Sequence, residues 1–246
     1  MRKSQILAGR EEDAEESAAE VYVVGKRGYG MIELQDVCYA YGERPVLRHV
    51  SFSVAEGECV LLLGDNGSGK TTLMKVLNGL ISPHIGRYFF DGTEITEKKM
   101  RDHAFSKWFH QRVAFLWQNP DVQLFCTSVE EELAFGPQQM GLSEEEWKKR
   151  VEDAVRIFGL GQIRDRVPYY LSGGEKKKTA MASLFTMNPQ VWTMDEPLSA
   201  LDQKTRKWLV EFLCSLKEAG KTLLLATHEP EQLREVADRE FWIGEA

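Results

Sequence analysis

Apolar positions along the chain fall into short strand-like runs separated by amphipathic stretches. Ile32-Glu-Leu-Gln35 and Val37-Cys-Tyr-Ala-Tyr41 alternate with the period of two expected of strands, turn residues Gly42 and Pro45 follow, and Val50–Val54 alternates again. Cys59–Leu63 is apolar at every position, the pattern of a strand buried on both faces. Beyond a glycine-rich loop, Thr71–Leu80 places Leu73, Met74, Leu77 and Leu80 on one helical stripe. From about Glu97 to Leu171 the chain is rich in charged and aromatic residues and reads mostly helical, with helices over Ser128–Phe135 and Ser143–Phe158. Ser143-Glu-Glu-Glu146 fits a capping box opening the second of these. After Ser172 a helical stretch leads to a strand over Val191–Met194, and a helix over about Gln203–Ala219 leads to a strand over Thr222–Thr227. Strands alternating with helices predict an α/β fold whose mainly parallel sheet is covered on both faces.

Composition narrows the class. The chain has 246 residues, 43% of them hydrophobic, enough to bury a core and to exclude wholesale disorder. No apolar run approaches the roughly 18 residues that cross a bilayer, and Met1–Arg10 offers only Ile6-Leu7-Ala8 as an apolar patch, so neither a spanning helix nor a signal peptide is expected. Glu11–Glu20 carries six acids in ten positions, and residues 1–30 read as a flexible acidic extension. The formal net charge of −7 argues against a broad nucleic-acid-binding face. Four scattered cysteines read as reduced packing residues, and the five histidines form no close metal-binding pair.

The strongest chemical signal is Gly64-Asp65-Asn66-Gly67-Ser68-Gly69-Lys70-Thr71, followed by Thr72. It matches G-x-x-x-x-G-K-[ST] between a predicted strand and a predicted helix, a pattern that chance would place in a chain of this length about once in a hundred. Glycines let the backbone curl so that successive N–H groups converge on phosphate oxygens, and the helix N-terminus adds its positive end. Lys70 would reach the β- and γ-phosphates and the Thr71 hydroxyl a magnesium ion. Val191–Met194 delivers Asp195 and Glu196 at a strand's C-terminal end, where open α/β sheets bind ligands. Asp195 is placed to hold the metal through water and Glu196 to polarise an attacking water. Leu171-Ser172-Gly173-Gly174-Glu175 reads equally as a helix cap and as a phosphate-binding helix start. His228 follows the last strand at the same sheet edge. Tyr41 reads as a stacking platform for a base or as core packing, and Gln118 as part of a turn.

Taken together these pieces resemble the ATP-binding subunit of ABC transporters. The order is that of the family: aromatic A-loop residue Tyr41, Walker A Gly64–Thr71, Q-loop Gln118, signature Leu171–Glu175, Walker B Asp195 and Glu196, D-loop Ser199-Ala-Leu-Asp202 and switch histidine His228. The resemblance covers about residues 31–246. It implies a P-loop NTPase (RecA-like) core at about 31–97 and 179–246, an N-terminal antiparallel β portion, and an inserted helical signature subdomain at about 98–178. It also implies ATP and Mg2+ as ligands, with Thr71, Gln118 and Asp195 about the metal, Glu196 as general base and His228 as γ-phosphate sensor. Such domains act as head-to-tail pairs, so Ser172, Gly173, Gly174 and Glu175 are expected to meet the nucleotide of a partner chain, and Asp202 to couple the two sites.

Gln118-Asn-Pro-Asp-Val-Gln-Leu-Phe125, the run Ser128–Pro137 and Asn78-Gly79-Leu80 are similar to the cobalt and energy-coupling-factor (ECF) importer ATPases. Lys176-Lys-Lys178 departs from the family's signature tail, which ends in arginine, and lysine does not reproduce arginine's planar fork. Gln203 stands where a proline often follows the D-loop. The subclass implies a second ATPase subunit, identical or different, a transmembrane coupling protein and a small membrane substrate-binding protein, with this chain peripheral on the cytoplasmic face and no nucleic acid involved. The alternatives are the ATPase of another ABC transporter class, or a soluble ABC ATPase without a transport role.

Overall fold

A computed structural model describes residues 30–244, so the acidic run Glu11–Glu20 lies outside the described residues. Two sheets carry the fold. The first is antiparallel, with strand order β2-β1-β4-β5, formed by β1 (Ile32–Tyr41), β2 (Arg44–Val54), β4 (Ile85–Phe90) and β5 (Thr93–Glu94). The second is parallel, with order β6-β7-β8-β3-β9, formed by β3 (Cys59–Leu63), β6 (Val113–Leu116), β7 (Val191–Asp195), β8 (Thr222–Ala226) and β9 (Arg239–Trp242).

Every residue of β3, β6, β7 and β8 is buried, and alternate side chains feed opposite faces. Leu61, Leu63, Trp192, Met194, Leu223 and Leu225 join the core beneath α4 (Val129–Met140), α5 (Glu144–Phe158), α6 (Gly173–Met187) and α7 (Gln203–Glu218). Val60, Leu62, Phe115, Val191, Leu224 and Ala226 face the other core, built with α1 (Lys70–Leu77) and the antiparallel sheet. Two short helices, α2 (Glu97–Met100) and α3 (His103–His110), lead into β6. Among the described residues no helix is long and apolar enough to cross a membrane.

Four sequence expectations for the strands and α1 change. The two alternations before Tyr41 are one strand: the register slips between Leu34 and Val37, where Asp36 takes φ 54° and its N–H bonds the Ser51 hydroxyl at 2.8 Å, so both halves keep an inward face. β2 reaches back past Val50 to Arg44, and Pro45 is tolerated because β2 is the sheet's edge. Leu80 is off the α1 stripe and exposed, since the helix ends at Leu77. Gly79, at φ 64°, donates to the Val76 carbonyl while the Leu80 N–H reaches Lys75, the paired bonds of a Schellman ending. Finally, the stretch read as mostly helical contains β6, an edge strand of the parallel sheet, so the core returns within the 98–178 interval. Val113–Leu116 is too short for its period to distinguish strand from buried helix.

Candidate active site

The parallel strands run toward one edge of the sheet, and the residues that follow β3, β7 and β8 meet there. After Leu63 the chain turns sharply at Gly64, whose φ of 146° and whose neighbours exclude a side chain: an added Cβ would lie 2.3 Å from the Ile243 carbonyl oxygen and 2.7 Å from Ser68 Oγ. Gly69 caps α1 in the left-handed region and lies against Val46 and Leu47 of β2. Lys70 is buried at the first turn, with its ammonium donating to the carbonyls of Gly64 (2.5 Å) and Asp65 (2.9 Å), so the cation is held over the loop.

Thr71 Oγ1 donates to Asp195 Oδ2 at 2.7 Å, joining the helix start to the end of β7. Burial pushes the Asp195 carboxyl above the usual carboxylate range, against the Thr71 hydrogen bond that favours its ionised form. A hydroxyl and a carboxylate side by side are hard oxygen donors of the kind that bind Mg2+ together with phosphate oxygens, so the residues present fit that ion.

Glu196, the next residue, has φ 48°, an arrangement that costs a non-glycine residue about 1–3 kcal/mol and persists only where its surroundings over-determine it. Its N–H bonds the Ala226 carbonyl at 2.9 Å, and its own carbonyl accepts from Ser199 N (3.1 Å) and Ser199 Oγ (2.8 Å). Its carboxylate accepts from Thr227 Oγ1 (3.0 Å) and from the His228 N–H (3.1 Å), and lies 2.6 Å from His228 Nδ1. The hydrogen bond to Glu196, reinforced by its charge, raises the His228 imidazole above its ordinary pKa.

One cleft collects Tyr41, Asn66, Gly67, Gly69, Lys70, Thr71, Thr72, Gln118, Asp195, Glu196 and His228. Gly64, Asp65 and Ser68 shape the loop beneath it, with the Ser68 N–H bonded to the Asp65 carbonyl at 3.1 Å. Tyr41 is half exposed at the rim, edge-on to Tyr39, so it is not a core residue. Ser172–Glu175 lie elsewhere, at the start of α6, where Ser172 and Glu175 form the reciprocal capping box that holds the Glu175 carboxyl below its usual range. Asp202 caps α7 through Thr205 N–H (2.8 Å) and is exposed. Sequence reasoning missed three contributors. Arg44 and Val46 line the cleft because the Gly42-Glu43 turn pairs Tyr41 with Arg44, and Thr227 braces Glu196. A strand directly after Tyr41 was the available signal for the first two.

Phosphate loop, paired acids, glutamine and histidine thus share one cleft, and the ABC transporter family model matches residues 47–199. The chain belongs to that family. The nickel import ATP-binding protein LarO of Lactiplantibacillus plantarum is 43% identical over 209 residues, 85% of this chain and 87% of the relative. The solved structure of CbiO1 from Clostridium perfringens, described as part of the ABC transporter complex cbiONQ, superposes with a TM-score of 0.77 at 29% identity, covering 88% of this chain and 86% of that one. The ATP-binding cassette MJ0796, solved as a dimer bound to ADP and Pi, superposes with a TM-score of 0.78 at 27% identity over 87% and 94% of the two chains. This ABC protein is an ATP-binding transporter ATPase with the P-loop fold.

Proposed function

We propose that this ABC ATPase, working from the cytoplasmic face of the membrane, energises an importer of the ECF type that carries a metal ion such as nickel or cobalt, or a vitamin, into the cell. The convergence of Lys70, Asp195, Glu196 and His228 in one cleft supports hydrolysis, and similarity to the nickel importer LarO supports import. Lys70 and the N–H groups of the glycine loop bind the β- and γ-phosphates, and Tyr41 stacks on the adenine. Glu196 orients the attacking water and accepts its proton, braced by Thr227, while His228 stabilises charge at the γ-phosphate. Thr71, Asp195 and Gln118 would hold Mg2+, which would supply positive charge to the phosphates of the bound nucleotide.

The sites complete one another across a head-to-tail pair. At Gly173 and Gly174 an added Cβ would meet nothing within 4 Å and neither φ is positive, so the fold of this chain asks for no glycine there. Glycine costs a helix about 1 kcal/mol relative to alanine, and the close approach of a partner's γ-phosphate to Ser172, Gly173 and Gly174 supplies the missing reason. Gln118 and Asp202 then relay between the nucleotide, the membrane partner and the second site.

Glu196→Gln is expected to retain MgATP binding and to lose about 100-fold or more in kcat, read by equilibrium binding and phosphate release. A variant turning over at the wild-type rate removes Glu196 as base. For import, the tagged chain is purified from solubilised native membranes and its companions identified by mass spectrometry. A transmembrane coupling protein with a small substrate-binding membrane protein is the expected result. Different permease subunits refute the ECF type, and purely soluble companions refute transport.

A further inference from the structure

We infer that Lys177, in the second turn of the signature helix, is a positioning residue that ties that helix and the Gln118 loop to the main chain of Glu196; the role rests on the reading of Glu196 as general base. Its neighbours take other partners: Lys176 pairs with Asp121 at 2.6 Å, and Lys178 lies over the Trp208 ring at 5.1 Å. Lys177 instead points inward and is 3% exposed. Its ammonium donates to two main-chain carbonyls, Gln118 O at 3.1 Å and Glu196 O at 3.2 Å. These carbonyls belong to two different loops at the ligand edge of the sheet, and Lys177 is on a third element, α6.

Burying an ammonium is costly, and an apolar side chain of similar length would fill the same space. Burial pulls the Lys177 pKa down to about 8, the mark of that penalty. Beside its attraction to the Asp195 and Glu196 carboxylates, the charge adds two directed bonds that an apolar chain lacks, and one of them holds the residue whose backbone is strained. Glu196, at φ 48°, has its carbonyl held by both Ser199 and Lys177, in addition to its N–H bond to Ala226 and the contacts of its carboxylate. Lys177 also lines a cleft of about 460 Å³ where Gln118, Gly173 and Ser199-Ala200 converge, with Ala200 itself at φ 58°. Movement of the signature helix against a partner therefore carries Lys177 with it and shifts the peptide that aims the Glu196 carboxylate. Lys177 is not among the residues lining the phosphate-loop cleft, and it acts through Glu196.

The test compares Lys177→Met with wild type in the full chain and its native membrane complex. The expected result is a drop of about tenfold or more in kcat with KM and MgATP affinity within about twofold, the signature of an interaction made only in the transition state. A thermal midpoint near that of wild type separates positioning from loss of fold. Unchanged kcat overturns the inference, as does a loss that appears wholly in KM. If Lys177→Met does not fold, Lys177→Gln, which loses the charge and the reach, is read for the same split. Glu196→Gln run in parallel keeps the two ideas apart. An active Glu196→Gln removes the base, whereas an inactive Glu196→Gln beside a fully active Lys177→Met removes only the tie.

Discussion

Glu196 and His228 form a pair in which the carboxylate sets the state of the imidazole. The imidazole is raised in the folded chain by the carboxylate 2.6 Å away, so the pair contributes stability that is complete below His228's ordinary pKa of 6.5 and is lost as pH rises through the raised value. Removing the carboxylate charge reverses that shift: in Glu196→Gln the His228 pKa is expected to fall toward 6.5, followed through its imidazole C–H resonances in NMR titration. A titration unchanged from wild type would mean the contact does not govern the histidine. At this scale the phosphate-loop residues were legible because Gly64–Thr71 is contiguous and each position has its own chemical task. Lys177 was not, because a lysine on a charged helix gives no sign of turning inward until the sheet and the Gln118 loop are in place around it.

Among the elements, α4 shows how a helix survives residues that should end it. The sequence reading stops this helix at Phe135, before Gly136-Pro137, yet it continues to Met140. Pro137 has no N–H for the carbonyl of Leu133, four residues back, and the Thr186 hydroxyl of α6, 2.8 Å both from that carbonyl and from the Ser183 carbonyl of its own helix, is placed to fill that role. At Gly136 an added Cβ would come within 2.6 Å of Met187, so the glycine lets the two helices approach closely enough for Thr186 to reach across. Thr186→Val is expected to cost about 1–3 kcal/mol by leaving that buried carbonyl unpaired, seen as a lowered urea midpoint at unchanged slope. Preserved stability would show that the carbonyl finds another donor. The capped starts of helices were legible, as with Ser143–Glu146 and Ser172–Glu175, because a cap is a local hydrogen-bond exchange. A helix rescued by its neighbour is not local.

For the whole molecule, Ser172–Gly174 lie outside the cleft of the glycine loop, and under the proposed head-to-tail pairing one chain would hold two half-sites rather than one complete site. Gly173→Arg should keep MgATP affinity and abolish turnover, and Lys70→Ala should abolish turnover through lost phosphate binding. Mixing the two inactive proteins is expected to restore hydrolysis, because a mixed pair contains one intact loop facing one intact signature. A mixture as inactive as its parts would assign the partner's role to a different ATPase chain.

The sequence by itself determined the family, the ordered motif set and the alternation of buried strands with helices, since each depends on contiguous residues or on a local period. Tertiary structure alone decided that β6 closes the edge of the parallel sheet, that Arg44, Val46 and Thr227 join the cleft, and that the signature lies away from the phosphate loop. It also decided that one lysine of three turns inward onto two main-chain carbonyls. These outcomes depend on which buried groups meet across distant segments, and no periodicity along the chain encodes the partner that a buried carbonyl, carboxylate or ammonium will find.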